Sequence, residues 1–313
     1  MRDHVATAAR LSALVLLTVS CRSVSTSPPG LSVTLPRIPV TESRAKLAAI
    51  SKNTKQLWVV VHIRANKTLR ADGSVDEEKL FADALANADA VVEGGGDAII
   101  LINSRCELPL YERVIEAVRT RHPSFPLGIS ALSYGPSNLV EGFRLAKKFG
   151  ARIVWTETVP GEVMEYEDDD GSYKPAEVIE PDLSLRTQAE QLPSAMHVSG
   201  VHMKYTRVLD GRSFKDAVRA SVGLVDGINV TGPKTAVLAE VDHVREGREA
   251  AGDAILGLAS GVSVDNIESV IGFIDYAIVG TSLKDPNDPL RTSVDKVRDL
   301  RRKMDELGGG PRT

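Results

Sequence analysis

Apolar residues in this chain follow two alternating spacings. Short, nearly unbroken apolar runs stand at 57–63 (LWVVVHI), 97–103 (DAIILIN), 126–131, 151–157 (ARIVWTE), 196–204, 227–231, 254–259 and 276–279. Runs of this kind, bounded by turn residues, read as strands buried on both faces. Between the first two runs, 76–93 carries Leu80, Ala84, Ala88, Val91 and Val92 at helical spacing and stops at Gly94, Gly95 and Gly96. The same logic predicts helices over 110–121, 137–149 (ended by Gly150), 183–192, 213–223, 237–251 and 293–307. The stretch 160–182 is acidic and irregular. Strict strand–helix alternation implies a parallel sheet covered by helices, and eight strands close it into a (β/α)8 barrel. A Rossmann-type sheet is the alternative, but no G-x-G-x-x-G follows the first strand. Internal repetition supports the barrel: Asp97, Asp226 and Asp275 each stand just before a short apolar strand that ends in a polar or small residue.

The 313 residues suit one barrel of roughly 250 residues plus an extension. Net charge is −4, so no basic surface speaks for nucleic acid. Six Phe, six Tyr and two Trp are too few for base-stacking platforms or carbohydrate clefts. Two cysteines, Cys21 and Cys106, suggest neither a disulfide framework nor a zinc site, although a single bridge between them stays open.

Residues 1–21 read as a signal or targeting segment: Arg2 and Arg10, then an apolar stretch 11–20 too short to span a bilayer. Cys21 directly after it is lipoprotein-like, with Leu17 one place too far away and Thr18 where Leu is expected. An extension on a cytoplasmic enzyme and an organelle transit peptide are the other readings. A cytoplasmic location is favoured over a lipid anchor at Cys21 or organelle targeting. Residues 22–50 read as a flexible Ser/Pro-rich linker, 51–307 as the single barrel and 308–313 as a disordered tail.

In such a barrel the C-terminal ends of the strands face the active site. Polar residues at those ends are His62, Asn103, Ser130 or Ser133, Glu157, His202 with Lys204, and Asn229 with Thr231. His202 and Lys204, two apart on an expected strand, would point to one face. His62, Glu157, His202 and Lys204 are the catalytic candidates: Glu157 or His202 as general base, Lys204 as oxyanion or phosphate partner or Schiff base. The last two strands end in Ser260-Gly261-Val262 and Gly280-Thr281-Ser282, small residues that expose backbone N–H groups. Two such ends side by side make an anion cradle, and the loops after strands 7 and 8 are where these barrels hold phosphate. Asn103, Asn229 and Thr231 join them as substrate-binding candidates.

Structural roles are open for the same residues. His62 can be a buried imidazole, Lys204 an ion-pair partner of Glu157, Asn103 a loop cap, and the small strand ends tight rim packing. The acidic run from Glu165 to Asp170 is either a solvated loop or a lid. Cys106 reads as an incidental thiol, and His197 and His243 as residues behind the site or at the surface. No cofactor and no metal site is expected. A metal-dependent hydrolase would need H-x-H on the first strand or a carbamylated Lys with further ligands, and this chain offers one first-strand His.

At these residues the chain resembles the BtpA (BtpA/SgcQ) family. The phrases are Val201-His202-Met203-Lys204, Asp226 to Thr231-Gly232, Ser260-Gly261-Val262 with Asn266, and Ile278-Val279-Gly280-Thr281-Ser282-Leu283-Lys284, with Val61-His62 and 95–103 in support. The resemblance covers about 57–304 and implies a barrel like the ribulose-phosphate-binding ones. Departures stand at Arg64-Ala65-Asn66-Lys67, where the family has a Pro-rich phrase, at Thr231-Gly232-Pro233-Lys234-Thr235, which lacks a second Gly, and at Ala259 in place of Gly. Some relatives carry a phosphoribosylanthranilate isomerase label. That chemistry needs a Cys base and an Asp acid where this chain has His62 and Asn229/Thr231. Two functions follow: an isomerase-, epimerase- or lyase-type enzyme on a small phosphorylated metabolite, or a non-catalytic assembly protein, as in photosystem biogenesis, held at a membrane by its N-terminus. A homodimer is expected from the class of fold.

Overall fold

A computed structural model describes residues 36–131, 134–168 and 170–311. Its centre is a closed barrel of parallel strands: β1 Gln56–Arg64, β2 Ala98–Ser104, β3 Leu127–Ser130, β4 Ile153–Thr156, β7 Met196–Gly200, β9 Gly227–Thr231, β10 Ile255–Ala259 and β11 Tyr276–Val279, with β11 pairing back onto β1. Three short strands outside the barrel, β5 Met164–Glu167, β6 Tyr173–Pro175 and β8 Thr206–Val208, form an antiparallel sheet in the order β6-β5-β8. Helices α2 Glu77–Glu93, α3 Leu108–Arg121, α4 Pro136–Phe149, α5 Pro181–Gln191, α6 Phe214–Ser221, α7 Val241–Ala251 and α8 Val294–Met304 follow the barrel strands. Between β10 and β11 there are only one-turn helices, Ile267–Ser269 and Ile271–Phe273.

Strand alternation splits the apolar residues into two bodies. Outward residues such as Leu57, Val59 and Val61 pack against the helices. Inward residues such as Trp58, Ile100, Ile153, Met196 and Tyr276 fill the barrel. Trp58 stacks on Tyr276 with ring centroids 3.8 Å apart. Tyr276 O–H donates to Asn229 Oδ1 (2.6 Å), and Trp58 Nε1–H to Gln56 Oε1 (2.9 Å). Gly257 makes room for this layer, since a Cβ there would lie 2.1 Å from Tyr276 Cε2.

The repeated aspartates have one shared role at the barrel floor. Each accepts the N–H of a residue at the start of the neighbouring strand: Asp97 that of Leu57 (2.7 Å), Asp226 that of His197 (2.9 Å) and Asp275 that of Leu256 (2.9 Å). Each is also bound by outer side chains, Arg301 for Asp97, Gln188 for Asp226 and Arg248 for Asp275.

The observed chain differs from expectation in four places. The linker expected through residue 50 gives way to helix α1, Val40–Ile50, whose Leu47 and Ile50 join the interior apolar cluster. Ser43 and Lys46 of α1 bind Asp226 (2.8 and 3.1 Å). The tail is tied down at its start: Gly309 and Gly310 carbonyls accept from Lys55 and Thr54 N–H. The fifth barrel strand, expected over 196–204, ends at Gly200. The stretch 160–182 holds β5 and β6 rather than only irregular chain. The targeting-like segment 1–21 and Cys21 lie outside the described residues. Among the described residues no helix is long and apolar enough to cross a membrane.

Candidate active site

A cavity of about 220 Å³ opens at the C-terminal ends of the barrel strands. Val60, Ile102, Trp155, Ala259 and Ile278 form its apolar floor, while His62, Glu157, Lys204 and Ser260 bring polar groups to its wall. Tyr134 and Tyr205 roof it. Tyr134 stacks on Tyr166 of β5 (4.4 Å), and Tyr205 Oη accepts the Thr235 N–H (3.1 Å). Tyr166 of the small outer sheet therefore backs Tyr134 without itself lining the cavity.

Two strand ends form one side. Ser260 and Gly261 both have left-handed backbones (φ 76° and 74°), which turns the chain sharply after β10. Gly261 is required there: a Cβ would lie 2.1 Å from the Leu238 nitrogen. Asn266 pins this turn by donating to the Gly261 carbonyl (2.8 Å) and accepting the Ser263 N–H (2.8 Å). Ser282 Oγ–H donates to the Val262 carbonyl (2.5 Å), tying the second strand end to the first. After β11 the chain makes a single 3-10 turn, Thr281–Leu283, in which Leu283 and Lys284 donate to Gly280 and Thr281. The N–H groups of Gly280, Thr281 and Ser282 precede the first donor of that turn, so the turn itself gives them no acceptor.

Lys204 reaches this side from the turn after β7. Its Nζ donates to Ser260 Oγ (2.6 Å), and its backbone N–H to Thr231 Oγ1 (3.2 Å). Glu157, just beyond β4, stands in the wall; burial pushes its carboxyl up, and the Lys204 charge pulls it partly back. Burial, then the charges of Arg64, Lys284 and Lys204, push the His62 imidazole down to about 3, so it is neutral near pH 7. Among the described residues, His62 Nδ1 and Trp155 Nε1 are buried with no hydrogen-bond partner.

Not every candidate is brought here. His202 follows the end of β7 in a left-handed conformation (φ 47°), so its spacing from Lys204 no longer puts the two on one face. Its N–H donates to Glu162 Oε1 (3.2 Å), and its ring packs edge-on against Phe214. It does not line the cavity, and neither do Asn103, Asn229 or Thr231. Asn103 caps its loop by accepting the Cys106 N–H (2.8 Å) and donating to the Cys106 carbonyl (3.0 Å). Asn229 lies a layer below, bonded to Tyr276. Thr231 positions the Lys204 backbone. Lys204 bonds Ser260 and acts on Glu157 through its charge across the cavity rather than as a direct ion pair. Ser130 is fully buried, its hydroxyl unpaired among the described residues, and Ser133 lies outside them. His197 is buried against Thr156 and Ser184, and His243 packs on Phe214. Cys106 is buried and free, its thiol pushed up to about 11. Sequence reasoning missed Trp155, Tyr134, Tyr205 and Thr235. Alternation gives a signal for Trp155, two residues before Glu157 in the same apolar run; the others stand on loops with no periodicity to betray them.

A closed parallel barrel with a polar cavity at this mouth defines the (β/α)8 class, and solved structures of that shape are similar to the chain. The native KDPGal structure matches with TM-score 0.50 at 13% identity, covering 80% of this chain and 95% of that one. A tryptophan synthase structure from Mycobacterium tuberculosis matches with TM-score 0.51 at 12% identity, covering 89% and 100%. Monomers of phosphoribosylanthranilate isomerase from Thermotoga maritima match with TM-score 0.50 at 10% identity, covering 80% and 99%. A sequence search among curated proteins returns no match. The BtpA family model matches residues 53–306, and the chain belongs to the BtpA family.

Proposed function

We propose that this BtpA-family barrel is an enzyme that moves a proton on a small phosphorylated metabolite. The observation that carries the reading is convergence: Lys204, Glu157 and His62 share one cavity with the Ser260–Val262 and Gly280–Ser282 strand ends. The backbone of those ends, with Lys204 beside Ser260, would hold the phosphate. Burial raises the Glu157 carboxyl, the direction that favours a group taking and returning a proton over a permanently ionised one. His62, neutral and with a buried unpaired Nδ1, would hydrogen-bond a substrate oxygen without adding a charge. Proton transfer by a positioned group contributes about 10²–10⁴-fold. His202 has no part in this reading, because it faces Glu162 and Phe214.

The test is a thermal-shift panel of phosphorylated metabolites and inorganic phosphate on the full chain. Ligand at about 100 times its Kd adds about 2.7 kcal/mol. A shift lost in Gly280→Asp, whose side chain would start 3.4 Å from Val60 and 3.8 Å from His62, supports the cradle. No shift with any compound on folded protein would sink the reading and favour a non-catalytic assembly role.

A further inference from the structure

Glu162 lies in the loop that follows Glu157, beyond the end of β4, with its side chain wholly buried. A carboxylate taken out of water costs energy unless charges or hydrogen bonds replace its hydration. Little replaces it here. Among the described residues, the basic group within ion-pair range is His202 Nε2, 3.9 Å from Oε1. Arg212 lies nearby, but its guanidinium binds Asp210 Oδ2 (2.8 Å) and the Gly161 carbonyl (2.6 Å). Glu162 Oε1 accepts the His202 backbone N–H (3.2 Å), and Oε2 has no partner among the described residues. A methionine would fill this space at lower cost. Breaks of a packing rule of this kind are expected where function needs them.

The bond from His202 holds the turn 201–205. His202 and Tyr205 both have left-handed backbones (φ 47° and 62°), conformations that residues with side chains keep only where neighbours hold them. Between them stands Lys204, whose Nζ reaches Ser260, and Tyr205 forms part of the roof. Three anchors fix the turn to β9 and to the core. Val201 N–H donates to the Asn229 carbonyl (3.1 Å), Lys204 N–H donates to Thr231 Oγ1, and the buried Met203 side chain joins the barrel interior. Two further bonds tie this segment to the loop that carries Glu157: Val159 N–H to the Gly200 carbonyl (3.0 Å), and His202 N–H to Glu162.

We propose that Glu162 is a positioning residue: through the His202 N–H it holds the Lys204 turn against the loop of Glu157, and so sets where the Lys204 ammonium stands relative to Ser260 and Glu157. It acts through the backbone of His202 rather than the ring, and it lines no part of the cavity. The proposal rests on the phosphate reading of the main cavity. Placement here comes at the expense of stability. Burial pushes the Glu162 carboxyl up to about 7; the Asp210 charge adds to this, while the His202 N–H and the Arg212 charge oppose it. At pH 8 the group is ionised, so its charge works against folding while its oxygen holds the turn.

NMR titration of the full chain with inorganic phosphate at pH 8, beside the melting temperature of each variant, tests this. Glu162→Met keeps the length of the side chain and removes the acceptor. It should weaken phosphate binding about 3–10-fold, the weight of one hydrogen bond, while its melting temperature stays level or rises. Glu162→Gln keeps an oxygen for the His202 N–H and should hold affinity within about twofold of native. In a double-mutant cycle, Glu162→Met should cause no further loss once Lys204→Met is present, because its effect passes through that ammonium. Native affinity in Glu162→Met overturns the proposal. So does a Glu162→Met protein that loses affinity and melting temperature together, which marks a merely structural role, or one that shows its full loss again in the Lys204→Met background. Each of those results leaves the cradle standing. If the native chain binds no phosphate, the cradle reading fails and the proposal falls with it.

Discussion

Replacing Lys204 by Met removes a single charge while keeping most of the aliphatic stem. The backbone should stay in place, because Lys204 N–H is held by Thr231 and the turn is packed beneath the roof. What is lost is the ammonium 2.6 Å from Ser260 Oγ, at the edge of the proposed phosphate cradle. A hydrogen bond to a charged group contributes ~1.5–3 kcal/mol, so phosphate affinity should fall about 10–150-fold. A second effect has a fixed sign. Burial raises the Glu157 carboxyl and Lys204 opposes it; without Lys204 the carboxyl rises further and stays protonated to higher pH. Titration calorimetry with inorganic phosphate reads the first effect, and carboxyl-carbon NMR of Glu157 reads the second. Lys204→Arg should retain most of both. Unchanged phosphate affinity in a folded Lys204→Met protein would refute the placement of the phosphate beside Ser260.

Other consequences follow from single groups. Burial pushes Glu162 up to about 7 from the usual 4.5, so its share of stability is full below about pH 4.5 and lost as pH rises through 7, about 3 kcal/mol in all; denaturant unfolding at pH 4.5 and 8 should show this fall in the native chain and not in Glu162→Gln. Asp226→Ala leaves the buried His197 N–H and the Ser43 hydroxyl without their acceptor and Lys46 with only the exposed Glu42, and should cost about 3–5 kcal/mol in urea unfolding; a loss under 1 kcal/mol would mean the floor clamp is dispensable. Gly261→Ala combines a left-handed backbone with a contact of 2.1 Å, so it should lower stability by more than ~1 kcal/mol and weaken phosphate binding at the same time; an unchanged melting temperature would contradict the packing described.

The barrel was legible because its signal is redundant. Eight buried runs, helical spacing between them and an Asp before three of the strands all point the same way. That Asp turned out to carry a physical role, an acceptor for the neighbouring strand's N–H, which a sequence can repeat but not explain. The two small-residue strand ends that line the cavity were legible for a similar reason, since the feature recurs at two successive strands. His202 misled because the two-residue rule holds only while the chain is extended, and the strand stops at Gly200. Asn103 misled because a polar residue at a strand end serves equally as a cap for its own loop. Helix α1 escaped notice because it starts after Pro39 and shows little amphipathic pattern; its burial comes from closing the barrel floor through Leu47 and Ile50. Tyr134 of the roof is backed by Tyr166 of a small antiparallel sheet built from residues far apart in sequence, and no local pattern announces such pairing.

The most direct test of the central claim is solvent deuterium exchange. The phosphorylated compound giving the largest thermal shift is incubated with the protein in D2O and followed by proton NMR. The account predicts loss of a carbon-bound proton signal at a rate that collapses in Glu157→Gln, while that variant still binds the compound. Tight binding with no exchange and no conversion would contradict it, and would leave a barrel that holds a phosphorylated molecule without acting on it.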